Sequence, residues 1–237
     1  MKVVYSQEYK QVYSSDPASS PGRIEAIEFA LAGKVSYIEP QPASEEDIGL
    51  IHTPRHIAEV RREGVYDIAA LAAGGAIKAA EIGLSEPCFA VIRPPGHHAS
   101  ADSAWGFCYF NNMAVALVKL KRKDKIKKAF ILDFDLHVGD GNINTLEPKG
   151  FVTILNPGGS DRSEYLKTVT NALNKTDADM IAVSAGFDNH EDDWGGLLRT
   201  EDYTYMGKMV RETARRNNGG CFGILEGGYN HAVLGKN

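Results

Sequence analysis

A parallel α/β sheet covered by helices on both faces is the fold class this sequence predicts, on three observations. Short β-type apolar runs alternate with helical patterns along the chain. Those runs are nearly unbroken, as strands buried on both faces require. Four of them end in a polar, glycine-bearing segment, the pattern expected where a parallel sheet opens at its carboxyl edge.

Taken in order, the predicted strands are Lys2 to Tyr5, Lys34 to Ile38, Cys88 to Ile92, Ala129 to Phe134, Phe151 to Leu155, Asp179 to Val183 and Cys221 to Leu225. Helical spacing covers Arg23 to Leu31, Arg55 to Glu63, Ile68 to Ile82, Asn112 to Lys121, Ser163 to Asn174 and Asp202 to Arg216. Ser163 and Thr200-Glu201-Asp202 are candidate helix starts. Gly74-Gly75 weakens an Ala-rich helix locally, and close packing against a neighbour is the simplest reason to keep the pair. Glu39 to Asp47, rich in Pro and Glu, reads as a surface linker. With 237 residues, 43% of them hydrophobic, the chain suits one sizeable core, a single domain over 1–237.

Composition narrows the function classes. A net charge of −5 and a pI near 5.8 give no general attraction for nucleic acid or anionic membrane. The basic run Lys119 to Lys128 is read as a solvated helix end or loop in preference to a phosphate patch. Cys88, Cys108 and Cys221 are odd in number and widely spaced, which indicates neither a disulfide framework nor a cysteine metal site. Cys88 and Cys221 open apolar runs and read as small packed hydrophobes. The opening MKVVYSQEYK is too polar for a signal peptide, and no apolar stretch is long enough to span a membrane, so a cytoplasmic protein is expected.

The chemistry concentrates in the four strand-end segments: CFAVI-RPPGHHA, AFIL-DFDLHVGDGN, MIAV-SAGFDNHEDD and CFGIL-EGGYN. In extended backbone, Asp133, Asp135 and His137 point to the same side. Side by side they need a shared cation or proton, because crowded carboxylates otherwise repel and desolvate badly. Carboxylate oxygen and imidazole nitrogen suit zinc, Asp188 can supply a third ligand, and three ligands leave an open position of the catalytic type. The plainer alternative is a solvated acidic turn. His97 and His98 follow Arg93-Pro94-Pro95-Gly96; their side chains diverge from an extended stretch, which suits proton transfer better than joint ligation. Asp133 and Asp140 are the carboxylates available to orient them. Tyr229, after Gly227-Gly228, can donate to an oxyanion or be an ordinary packed tyrosine. The aromatic cluster Gly106 to Phe110 can wall an apolar slot or belong to the core. His52 and His56 read as structural or capping, His190 as a rim residue and His231 as exposed.

RPPGHHA, GFCYFNN, LDFDLHVGDGN, SAGFD and LEGGYN, in this order, resemble the histone deacetylase superfamily over roughly Ile51 to Leu234. That group includes acetylpolyamine amidohydrolases. The resemblance implies a three-layer arginase/deacetylase-like α/β fold, a central mainly parallel sheet flanked by helices. It implies zinc on Asp135, His137 and Asp188, with iron(II) an acceptable substitute for mixed N/O ligands. It implies His97 and His98 as tandem acid/base histidines paired with Asp133 and Asp140 respectively, Tyr229 on the oxyanion, and Gly106 and Phe107 on the acyl channel, with Gly227 and Gly228 beside the substrate. The implied reaction is metal-assisted hydrolysis of an N-acyl amine, such as acetyl-lysine, an acetylpolyamine or a small metabolite.

Departures from the family pattern carry their own expectations. Val138 replaces a second histidine common in the D-x-D-x-H-H run. FVTILNPGG lacks the serine and histidine that usually follow that strand, and because the serine often helps bind potassium, the resemblance leaves a K+ site doubtful. The Gly64 to Ile68 segment is abbreviated, the stretch after FVTIL has little insertion, and the C-terminal extension usual after GGYN is missing; shorter loops imply a shallower, more open pocket. Two other readings are an inactive regulatory binder of acylated ligands and an arginase-like ureohydrolase. The first is disfavoured because no ligand, tandem histidine or tyrosine is lost, the second because the extra bridging aspartates and histidines of a two-manganese site are absent.

Overall fold

A computed structural model describes residues 1–237. Seven strands form one sheet: β1 (Lys2–Val4), β2 (Ser36–Ile38), β3 (Cys88–Ala90), β4 (Ala129–Asp133), β5 (Val152–Leu155), β6 (Met180–Ala185) and β7 (Gly220–Leu225). Their order is β2-β1-β3-β7-β6-β4-β5 and every pairing is parallel. The central strands β4, β6 and β7 are buried along their whole length, the sheet interior their apolar runs predicted.

The helices are α1 (Arg23–Leu31), α2 (Glu45–Ile48), α3 (Pro54–Arg62), α4 (Tyr66–Gly83), α5 (Asn112–Arg122), α6 (Asp140–Leu146), α7 (Arg162–Lys175), α8 (Thr200–Arg216) and α9 (His231–Leu234). Helix α4 packs against β1, β3 and β7, and α8 against β6 and β7. Gly74 and Gly75 make close packing possible, as expected. A Cβ at Gly74 would stand 2.7 Å from the Ala43 nitrogen, and one at Gly75 would stand 2.6 Å from Ile92 Cγ2. Two expectations change at this level. The Glu39–Asp47 linker is not free surface: Ala43 is buried, its N–H donates to the Ala70 carbonyl, and residues from Glu45 form α2 capped by Ser44. Helix α7 starts one residue early because Asp161, not Ser163, caps it by accepting from the Glu164 N–H.

Strands β3, β7, β6 and β4 are neighbours, so the four polar segments that follow them meet at one edge of the sheet. The segment after β3 is clamped by the asparagines of GFCYFNN. Asn111 caps α5 through the Ala114 N–H and donates to the Ala99 carbonyl; Asn112 donates to the Pro94 carbonyl. The guanidinium of Arg93, fully buried, donates to the carbonyls of Tyr9, Gln11, Ala18 and Ser20, tying the N-terminal segment to the same edge.

Candidate active site

The chain leaves extended conformation directly after Asp133, so the three-residue alternation does not hold. Asp133 turns to His97, and Asp135 and His137 come together with Asp188 instead. One ligand atom from each of these three lies within 4.8 Å of the others. The Asp135 carboxylate accepts from the N–H groups of His137 (2.9 Å) and Gly227 (2.9 Å), and Asp188 accepts from the Leu136 N–H at 3.1 Å. His137 Nδ1 lies 3.2 Å from both Asp135 Oδ1 and Asp188 Oδ2.

The cluster fits a divalent cation on its own terms. Asp188 is fully buried, and its Oδ2 has no hydrogen-bond partner despite that proximity. Burial and the Asp135 charge raise the Asp188 carboxyl above its ordinary range. The hydrogen bond to Asp135 and the Asp188 carboxylate close by push His137 up to about 10, so a proton there sits where a cation would relieve the same repulsion. Room around the carboxylates is kept by glycine. A Cβ on Gly227 would come within 2.8 Å of Asp188 Oδ2, and one on Gly186 would collide with the Asp135 carboxylate. Two carboxylates and an imidazole form a donor set of the zinc or iron(II) kind.

His97 and His98 stand beside this cluster. They do not diverge: they sit in a turn, with ring centroids 4.0 Å apart. His97 Nδ1 lies 3.2 Å from Asp133 Oδ2 and His98 Nδ1 lies 2.7 Å from Asp140 Oδ1, the pairing that the resemblance implied. Burial opposes charge on His97, but the Asp135 and Asp133 carboxylates outweigh it and raise its pKa well above the ordinary value. Burial, then the neighbouring His97 charge, lowers His98 to about 4. Adjacent imidazoles thus take opposite protonation states, each set by its surroundings.

Beneath His97 lies a buried polar network that the motifs alone did not reveal. The Glu226 carboxylate accepts from the N–H groups of Gly96 (2.7 Å) and His97 (3.3 Å) and from the Ser184 hydroxyl (3.2 Å). Asn142 donates to both Ser184 Oγ (3.2 Å) and Asp133 Oδ2 (3.1 Å), and its N–H donates to the His97 carbonyl. Burial pushes Glu226 up to about 7. Glu226 was within reach of sequence reasoning, since a carboxylate at the end of an apolar strand needs partners; Asn142 and Ser184 carry no such signal.

A cavity of about 260 Å³ opens over the histidines and the cluster, lined by Pro95, Gly106, Phe107, Gly227, Tyr229 and two tryptophans, Trp105 and Trp194. Tyr229 stacks on Trp194 (centroids 4.1 Å apart) and meets the edge of Phe107. Gly228 does not line the cavity: its Cα faces Leu234 and Phe187, and its carbonyl accepts from Arg23 Nε at 2.8 Å. The left-handed φ of +111° at Gly228 is what turns Tyr229 inward. Trp105 and Trp194 are the chain's only tryptophans and are 55% and 54% exposed. Each stands in or beside a motif segment, which is the signal that could have marked them as cavity walls.

The remaining histidines are structural. His52 accepts from the Asn111 N–H, and His56 donates to the Tyr109 carbonyl; both pack near Phe110. His190 is not on the rim but buried and stacked on Tyr203. His231 is half-buried against Gly22, not exposed.

Comparison with known proteins agrees with this geometry. The family model for the histone deacetylase domain matches residues 18–156 and 150–237. A probable deacetylase of Methanothermobacter thermautotrophicus is 29% identical, over 100% of this chain and 88% of that protein. The alignment runs over 294 positions, more than the chain's 237 residues, so that relative carries segments this chain lacks. A histone deacetylase-like amidohydrolase of Pseudomonas aeruginosa is 28% identical over 86% of this chain and 69% of its own length. The crystal structure of the HDA15 HD domain superposes with a TM-score of 0.86 at 23% identity, covering 99% of this chain and 86% of that one, which shows the same fold. With its parallel sheet, its Asp-His-Asp cluster and its tandem histidines, the chain belongs to the histone deacetylase domain family.

Proposed function

We propose that this chain, as one catalytic domain over residues 1–237, is a metal-dependent amidohydrolase that removes an acyl group, with acetyl the first candidate, from an amine. The observation that carries the reading is the placement of His98, held by Asp140 and lowered to about 4, in the same small cavity as the Asp135-His137-Asp188 cluster. Zinc, or iron(II), held by those three residues would act as a Lewis acid toward the acyl carbonyl and toward water. His98 has its Nδ1 committed to Asp140, which leaves Nε2 to accept a proton from the attacking water and return it to the departing amine. His97, held by Asp133 beside the cluster, would tune the charge near the reacting atoms. Tyr229, placed by its stack on Trp194, offers its hydroxyl to the oxyanion. Phe107 walls the cavity against water. No side chain here is placed to form a covalent acyl intermediate, and none is needed.

Strand β5 ends at Leu155, and the side chain of the next residue, Asn156, accepts from the Gly139 N–H at 2.8 Å; potassium has no part in the proposal. Acetyl-lysine, acetylpolyamines and small acetamides all present a neutral amide that this cavity would accept, and no nucleic-acid or membrane partner is invoked. The three cysteines are free and buried, and no helix is long and apolar enough to cross a membrane; a cytoplasmic setting suits both. The test is acetate release by zinc-loaded protein from a panel of those three substrate kinds, with a chelated control. Chelator-sensitive release is expected. No release of any acyl group from protein shown to hold zinc would overturn the reading in favour of a regulatory binder.

A further inference from the structure

His98 is 3% exposed although it stands in an open cavity, and the side chain that covers it is one for which the motifs give no role. The Trp105 indole lies on the His98 ring, centroids 3.8 Å apart and planes 31° apart. The His97 ring lies 4.0 Å away. The backbone of Gly106 closes on a third side: a Cβ there would collide with His98 Cδ2, so only glycine lets the loop lie so near. Asp140 Oδ1 takes Nδ1. Of the two ring nitrogens, Nε2 alone is left for the cavity.

Trp105 also reaches the same residue by a second route. Its Nε1–H donates to Asp140 Oδ2 at 2.9 Å, the oxygen that His98 does not use. The Asp140 side chain is 41% exposed, so one oxygen would otherwise be free to rotate toward water. Indole and imidazole thus grip the carboxylate from both oxygens and fix its plane. The loop is built to keep this contact. Gly106 (φ +59°) and Phe107 (φ +66°) are two successive left-handed residues, and the second is unfavourable for any side chain with a Cβ. That turn sets the indole on His98 while aiming Phe107 at Tyr229.

We propose that Trp105 is a positioning residue for proton transfer: it covers one face of His98 and, through Asp140, fixes the orientation of that ring. The proposal rests on the reading of His98 as the proton-transfer group. An aromatic face also favours the imidazolium form that His98 adopts once it has taken a proton, so the contact serves the reaction midway as well as at rest.

The first test needs no activity. In metal-free protein, carbethoxylation of His98 by diethyl pyrocarbonate, followed by peptide mass spectrometry, should be at least about tenfold faster in W105A and within about threefold of wild type in W105F, which keeps the stack. Equal labelling in wild type and W105A overturns the cover. The second test is kinetic. W105A should lower kcat about 30-fold and W105F about fivefold, with KM changed less than about threefold in each. On a D140N background W105F should add no further loss, because the hydrogen bond it removes acts through Asp140. A change in KM alone, or full additivity with D140N, would make Trp105 a plain cavity wall and overturn the proposal. Should W105A fail to fold, W105L replaces it in both tests. If wild type hydrolyses no acyl amine, the functional reading falls, and the labelling result alone then decides whether the indole guards His98.

Discussion

The floor and the rim of the cavity are built on opposite physical plans, although His97 on one and His98 on the other are adjacent in sequence. The floor is dry. His97, Asp133, Asn142, Ser184 and Glu226 are all buried and joined by hydrogen bonds, and they come from β4, β6, α6 and the segments that follow β3 and β7. The rim is open: Trp105, Trp194 and Asp140 are partly in solvent, and aromatic stacks plus the two hydrogen bonds to Asp140 hold it together. The Asp135 and Asp133 carboxylates outweigh burial and raise the His97 pKa well above its ordinary value, whereas burial and the neighbouring His97 charge lower His98 to about 4. Local environment, more than residue type, thus distinguishes the two imidazoles.

Breaking the cluster between floor and rim should have the largest effect. Asp135→Ala should lose both bound metal and activity, the latter by roughly 1,000-fold or more, as metal analysis and acetate release will check; normal metal content would remove Asp135 from the ligand set. On the rim, Tyr229→Phe should keep its metal and lose roughly 100-fold to 1,000-fold in kcat, the loss typical of one oxyanion donor. Full activity would leave Tyr229 a packing residue.

The floor can be tested through pH. Glu226 has a folded pKa raised to about 7 from 4.5, so between those values the folded chain binds more protons than the unfolded one. Its contribution to stability is therefore fully present below pH 4.5 and is lost as pH rises through 7. In metal-free protein, denaturant unfolding of wild type should lose on the order of 3 kcal/mol more across that window than Glu226→Gln does. Parallel curves would show that this carboxyl is already charged at low pH. The smallest effect belongs to neither region. Lys128→Ala removes an exposed ion pair with Asp177 and should leave the unfolding midpoint unchanged in the same assay.

The same contrast explains what could be read from the sequence. All seven strands and the longer helices were legible because burial on both faces leaves unbroken apolar runs. The residues of the Asp135-His137-Asp188 cluster and both histidines were legible because short polar segments at strand ends converge in any parallel sheet. Their pairing was less so. Alternation would put Asp133 with Asp135 and His137, but the backbone bends just after β4 and sends Asp133 to His97. Ser184 and Asn142 looked like ordinary polar residues, since only tertiary contact gives them a task. Trp105 was missed because a loop aromatic has no period, and Gly228 was misplaced because its φ of +111° turns it away from its neighbours in the motif.

One feature of the sheet bears on how the chain reaches this state. Strand β7, the last of the seven along the chain, lies in the middle, between β3 and β6. Without it, β1 to β3 and β4 to β6 would be two separate groups of strands, each with an unpaired edge of the kind that can pair with another molecule. The strand that seals those edges also delivers Glu226, Gly227 and Tyr229, and Gly227 then bonds Asp135 across 92 residues of sequence. Contacts of such separation form slowly. One strand thus joins the two groups and completes the cavity, so the sheet and the site depend on the same segment.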